Sequence, residues 1–173
     1  MLVEVRDAHA AQQAEGGGAE GLVVRVATGD LRGHTALPLL AYGPSPDERL
    51  ANAADAVVLT AEDDEALEHE AELCRELGVE VVVRVRDDDE LERALEQVDP
   101  EILLLTAERA EDEQEPLDRL LELLPDVPAG KLAIAELADA SRSDVEELER
   151  AGVDAVLVTG DVAALVGDGV PDV

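Results

Sequence analysis

Seven polar or charged side chains stand at or near the ends of short apolar runs in this chain. They are Glu4, Arg6, Arg25, Tyr42, Arg84, Thr106 and Glu136. Carboxylates can transfer protons, whereas guanidinium groups bind phosphates and carboxylates. A charge beneath a layer of helices is costly without a partner, so we expect these side chains to converge where water reaches the strand ends.

Two uses of such a cluster are open. In the first, Glu4 and Glu136 act as acid and base, and Arg6, Arg25 and Arg84 hold a small anion such as a phosphate ester or a carboxylate. Three guanidiniums against two carboxylates would make that site locally positive. In the second, the same charges form an internal salt-bridge network that fills the site and binds nothing.

The elements that must position these residues alternate along the chain. Eight runs rich in Val, Leu and Ile predict strands buried on both faces. They cover residues 2–6, 22–26, 38–42, 56–60, 79–85, 102–106, 132–136 and 155–159. Amphipathic patterns between them predict helices, for example the 3.6-residue spacing of Leu117, Leu120, Leu121 and Leu124.

Local signals mark where several helices begin and end. Ser45-Pro46 is typical of an N-cap followed by a first-turn proline, and Ser143 with Glu146 fits a capping box. Gly78 and Gly152 stand where helix C-caps are expected. The acidic stretch 108–115 is the longest predicted loop, and a solvated connector is our preferred interpretation of it.

Eight strand-then-helix units in series predict an α/β fold with parallel strands and right-handed crossovers. We expect a single compact (β/α)8 TIM barrel over residues 1–173, with short strands and some very short helices, because closure is the natural solution for eight such strands. An open doubly wound sheet is the alternative.

Composition narrows the class of protein further. Asp and Glu number 43 against 13 Lys and Arg, which gives a net charge of −30 and disfavours nucleic acid or anionic membranes as partners. His9, His34 and His69 share no metal-ligand spacing, and Cys74 falls on an apolar helix stripe. We expect no metal, no cofactor, a cytoplasmic location and a monomer or weak homodimer.

The sequence resembles indole-3-glycerol phosphate synthase, a barrel lyase of tryptophan biosynthesis. The resemblance is carried most clearly by residues 144–158, which read Asp-Val-Glu-Glu-Leu-Glu-Arg-Ala-Gly-Val-Asp-Ala-Val-Leu-Val. Further similar stretches are residues 54–59, 76–81 and 86–95, with looser matches at 17–22 and 37–40. The resemblance implies a carbon-carbon lyase that uses a lysine general acid, several glutamates and a phosphate site.

When the family's catalytic and substrate-binding residues are compared with this sequence position by position, two glutamates are retained and most of the other residues are replaced. It gives catalytic positions to Glu4, Arg6 and Glu136, but arginine at position 6 replaces the family's lysine and holds its proton too tightly for a general acid. Substrate-binding positions fall on Tyr42, Arg84, Thr106 and Gly160, and Arg25 is an anion-binding candidate from its place at a strand end alone. Arg84 reverses the charge of a family glutamate, and Asp161 follows Gly160 in the loop that would hold phosphate.

Two functions therefore remain open at this point. One is a diverged barrel that is inactive in the parent reaction and serves as a binding protein or a minimal scaffold. The other is an active lyase, or another enzyme acting on a small anionic metabolite.

Overall fold

The computed structural model describes residues 1–25, 31–42, 54–107, 115–159 and Leu165. Its eight strands, in chain order, are β1 (Leu2–Glu4), β2 (Gly21–Val24), β3 (Leu39–Ala41), β4 (Ala56–Thr60), β5 (Glu80–Val85), β6 (Ile102–Thr106), β7 (Leu132–Glu136) and β8 (Ala155–Val158). All neighbours pair in parallel in the order of the sequence, and β8 pairs with β1 through Val3 and Val158. The predicted (β/α)8 barrel is thereby confirmed, and the open sheet is wrong because both edges are paired.

Five α-helices occur in the described part of the chain. They are α1 (Ala8–Gly16), α2 (Asp64–Leu77), α3 (Asp88–Gln97), α4 (Pro116–Leu123) and α5 (Arg142–Ala151), and a short 3₁₀ turn at Leu124–Asp126 follows α4. Their apolar stripes cover the outside of the barrel, where Leu67, Leu120 and Leu148 are buried together with Cys74. The predicted helix stripes are confirmed, and no helix among the described residues is both long and apolar enough to cross a membrane.

The helix ends follow local side-chain chemistry. Gly78 and Gly152 end α2 and α5 with φ of 66° and 109°, a left-handed conformation that favours glycine. The capping box of α5 is formed by Ser141 and Asp144, so the predicted pair Ser143 and Glu146 is wrong. The helix begins earlier because the Asp144 carboxylate accepts from the Ser141 N–H at 2.8 Å, while the Ser141 hydroxyl accepts from the Asp144 N–H.

Two aspartates close the N-terminal end of the barrel in the same manner. Asp55 precedes β4 and accepts from the backbone N–H of Leu39 at 2.8 Å. Asp154 precedes β8 and accepts from the backbone N–H of Ala133 at 2.8 Å. Each carboxylate therefore ties the strand that follows it to the preceding strand of the sheet.

Some predicted features lie outside the described residues. These are the Ser45-Pro46 cap, most of the acidic stretch 108–115, and Gly160 with Asp161.

Candidate functional site

The barrel interior is built in layers because side chains two residues apart on a strand share a face. The middle layer is aliphatic and consists of Val23, Leu40, Val58, Val82, Leu104, Ile134 and Leu157. The residues two positions further along these strands are Arg25, Tyr42, Thr60, Arg84, Thr106, Glu136 and Thr159. A polar layer therefore lies above the aliphatic one at the carboxyl ends of the strands, which is the end where barrel enzymes form their active sites.

Glu4, two residues after Leu2 on β1, joins this polar layer at the same end. Four side chains there contact one another, and we call them the mouth cluster: Glu4, Arg25, Tyr42 and Glu136. Arg25 donates from Nε to Glu4 Oε2 at 2.8 Å and from Nη2 to Glu136 Oε1. The Tyr42 hydroxyl donates to Glu136 Oε2 at 3.2 Å. The Arg25 guanidinium lies over the Tyr42 ring, 4.1 Å from its centroid. One arginine thus joins two carboxylates and stacks on the aromatic ring.

The mouth cluster spans the barrel. Tyr42 follows β3 and Glu136 ends β7, and these strands lie four positions apart in a closed ring of eight. Their hydrogen bond therefore joins opposite walls, with Arg25 reaching in from β2. Among the described residues, side chains from opposite walls therefore meet across the opening.

The electrostatics of the mouth cluster follow from partial burial. Burial acts to lower the pKa of Arg25, but the hydrogen bond to Glu4 and the charges of Glu136 and Glu4 outweigh it, so the pKa is raised. Burial raises the pKa of Tyr42 well above its usual range, and the Glu136 carboxylate raises it further. Both groups are therefore held in their protonated forms at neutral pH.

Arg84 and Thr106 flank the mouth cluster. Arg84 is half-buried on β5 between Thr60 and Leu104 of the neighbouring strands, and its charge acts on the Tyr42 hydroxyl. Thr106 is buried and pairs in register with Glu136. The prediction that polar strand ends share one end of the barrel thus agrees with the structure for Glu4, Arg25, Tyr42, Arg84, Thr106 and Glu136.

The predicted position of Arg6 in strand one is wrong. β1 ends at Glu4, and Arg6 is exposed beside Asp7, which turns the chain and caps α1. Arg6 makes no ion pair with any described residue. The residues that do gather carry two guanidiniums, Arg25 and Arg84, against two carboxylates, so the expected excess of positive charge is absent from this set.

Other sequence predictions concern metals and histidines. His9, His34 and His69 are exposed, and the described residues contain no cluster of His, Cys, Asp and Glu that could hold a metal ion. Sequence reasoning missed the stacking of Arg25 on Tyr42. The only signal available for it was that both residues end neighbouring strands.

A cleft opens beside the mouth cluster on the same end of the barrel, and we call it the β6–β7 cleft. It has a volume of about 530 Å³ and lies between the chain following β6, the start of α4 and the turn from β7 to α5. Its lining includes Glu136 at one end, together with Leu117 and Leu137. Glu136 therefore faces both the mouth cluster and this cleft.

Comparison with known proteins is informative for both fold and family. A family model described as indole-3-glycerol phosphate synthase matches residues 47–164, more than half of the chain. The indole-3-glycerol phosphate synthase of Variovorax paradoxus (strain S110) is 38% identical over 113 residues, which cover 64% of this chain and 42% of that protein. The chain thus spans less than half the length of the curated relative that it matches.

A solved structure supports the architecture independently. The N-acetylmannosamine-6-phosphate 2-epimerase from Clostridium perfringens superposes with a TM-score of 0.69, covering 94% of this chain and 87% of that one. At 13% identity this similarity concerns the fold alone. The match of the family model, together with the closed barrel, shows that this chain belongs to the indole-3-glycerol phosphate synthase family.

Proposed function

We propose that this chain is a diverged barrel of the indole-3-glycerol phosphate synthase family that does not catalyse the family's ring closure. The observation that carries the proposal is the mouth cluster. Arg25 binds both Glu4 and Glu136, and Tyr42 binds Glu136 from the opposite wall. The two glutamates retained from the family are both engaged in internal contacts.

The chemistry of those contacts is unfavourable for acid catalysis. A general acid must release a proton near the working pH, whereas a carboxylate bound to a guanidinium is stabilised in its ionised form. The family's lysine position holds Arg6, which is exposed and stands apart from the mouth cluster. The chain's only lysine, Lys131, precedes β7 and pairs with Asp99, so the described residues of the mouth include no lysine that could act as the general acid.

The charges at the barrel mouth are also unfavourable for the family's reaction. Arg84 carries the charge opposite to the family's glutamate at the corresponding place on β5. An incoming phosphorylated substrate would compete with two carboxylates for the Arg25 guanidinium. Complete displacement would leave two partly buried carboxylates without their cation, at a cost of about 2 kcal/mol, between the values for exposed and fully buried pairs.

The direct test is formation of indole-3-glycerol phosphate by the purified protein, followed by indole fluorescence, together with growth of a tryptophan-requiring strain that lacks the synthase. We expect neither turnover nor rescue. Turnover that disappears in Glu4→Gln would refute the proposal. The variant Arg142→Met, which removes an exposed arginine from α5, is the control for preparation and folding.

The second candidate is a lyase or another enzyme that acts on a small anionic metabolite in the cytoplasm. Glu136 favours it, because this side chain is 15% exposed and also lines the β6–β7 cleft. Glu4 and Glu136 would be the acid and base, and Arg25 and Arg84 the anion anchors. A rise in melting temperature with phosphate esters that is lost in Arg84→Met would support this candidate over the first.

A further inference from the structure

The described residues that line the β6–β7 cleft are of two kinds, apolar and acidic. Five of its lining residues are apolar, and we call them the floor of the cleft: Ala107, Pro116, Leu117, Leu137 and Ala138. A volume of about 530 Å³ is within the range of small-molecule sites, roughly 300–1,000 Å³. The floor favours a ligand with an apolar body.

The remaining lining residues all carry carboxylates: Glu115, Asp118, Glu136, Asp139 and Asp144. Among the described residues that line the cleft there is no basic side chain and no neutral polar one. The cleft therefore differs from the mouth cluster, in which Arg25 offsets the charge of two glutamates.

Two helices begin at the cleft, and their N-termini would ordinarily attract anions. Each of these termini already has a carboxylate in its first turn, Asp118 in α4 and Asp144 in α5. Asp144 is also bound within the capping box of α5. The partial positive charge at each helix N-terminus is thus compensated by the protein's own carboxylates. Glu115 and Asp139, which make no ion pair with any described residue, leave the cleft with an excess of negative charge.

We infer that the β6–β7 cleft binds a small organic cation, namely a primary ammonium group attached to an apolar or aromatic body. The body lies on the floor of Leu117 and Leu137, and the ammonium group faces the carboxylates of Glu115, Asp118 and Asp139. This inference goes beyond the proposed function and does not depend on it, because neither the ring closure nor the contacts of Arg25 enter the argument.

The net charge of −30 attracts any cation, so the experiment must separate this cleft from the rest of the surface. Three probes do so by chemistry: phenethylamine has both charge and body, methylamine has only the charge, and 3-phenylpropionate has the same body with the opposite charge. Backbone amide shifts in NMR titrations, measured at about 0.5 M NaCl to screen the general field, map where each probe binds.

We expect saturable amide shifts at Glu115, Leu117, Asp118 and residues 136–139 with phenethylamine, and affinities at least about tenfold weaker for the other two probes. The double variant Glu115→Gln/Asp118→Asn should weaken phenethylamine binding about tenfold. The matched control Asp89→Asn/Glu92→Gln removes the same charge from exposed positions of α3 and should change the affinity less than about twofold. Melting curves of both variants verify that they are folded.

Several results would overturn the inference. These are shifts scattered over the acidic surface, equal weakening in the control variant, equal or tighter binding of 3-phenylpropionate, or no saturable binding of phenethylamine. The synthase assay is independent of these titrations, so turnover or its absence leaves their meaning unchanged.

Discussion

Replacing Arg25 with methionine should destabilise the barrel far more than the same replacement at an exposed arginine. Methionine keeps much of the length and the apolar stem but removes the cation between Glu4 and Glu136. Arg142 on α5 is the matched control, since it pairs with Glu146 four residues along and both side chains are more than half exposed.

The expected loss of stability in Arg25→Met can be estimated from how exposed the paired side chains are. The Arg25 side chain is 35% exposed, and the two glutamates are 15% exposed. Removing one partner of a fully buried pair costs about 3–5 kcal/mol, whereas exposed pairs are worth about 0–1 kcal/mol. An intermediate value of about 2 kcal/mol applies to this pair. The lost stacking on Tyr42 adds about 0.5 kcal/mol, and for Arg142→Met we expect about 0.3–0.5 kcal/mol.

The assay is urea unfolding at constant ionic strength, followed by far-UV circular dichroism. A loss of about 2.5 kcal/mol corresponds to a fall in melting temperature of about 5–10 °C for a chain of this size. Adding Glu136→Gln to Arg25→Met should recover part of the lost stability.

Equal losses of stability in Arg25→Met and Arg142→Met at pH 7 would refute this reasoning. So would a double variant that is less stable than Arg25→Met alone. Either result would mean that the guanidinium does not offset the two carboxylates.

Three other predictions can be tested on the same material. The pKa of Tyr42 is raised by burial and by Glu136, so the folded state holds the phenol protonated, and this contribution to stability is complete below about pH 10 and is lost as the pH rises further. Titration of phenolate absorbance should therefore start at a higher pH in the native protein than in urea, and coincident titrations would contradict the burial. Gly78→Ala and Gly152→Ala should each lower the free energy of unfolding in urea by about 1 kcal/mol, because φ is positive at both glycines and no atom crowds the added Cβ. Gly16→Ala is the control: its added Cβ is equally uncrowded, but Gly16 belongs to α1, so this variant should not lose stability. The melting temperature should rise between low and molar salt as repulsion among 43 acidic residues is screened, and an unchanged value would count against that repulsion.

The barrel could be predicted from the sequence because its determinants are local. Residues 102–105 and 132–135 are continuous in apolar residues, and the bounds of β4, β6 and β7 coincide with those predicted. β1 is shorter than predicted because Asp7 caps α1 and ends the strand early. The pattern of apolar residues contains no signal for that turn.

The candidate site could be predicted only in part, because its contacts are not local. Period-two alternation places Glu4, Arg25 and Glu136 in the interior, but 111 residues separate Arg25 from Glu136. Which arginine reaches both carboxylates depends on strand tilt and barrel diameter. These are set by closure of the whole sheet rather than by any one segment. The pairing of Tyr42 with Glu136 across the barrel follows from that geometry.

The aspartates at the N-terminal end of the barrel bear on how such a chain is assembled. Asp55 and Asp154 make the same hydrogen bond, to Leu39 and Ala133, at points half a circumference apart. The segments around them also read alike, Ala-Asp-Ala-Val-Val-Leu-Thr at 54–60 and Val-Asp-Ala-Val-Leu-Val-Thr at 153–159. In each half of the barrel, an aspartate before the last strand accepts a hydrogen bond from the strand before it. These pairs are β3 with β4 and β7 with β8. This recurrence at half the ring is the pattern expected of two copies of a four-stranded unit, each able to secure its last strand before the ring closes.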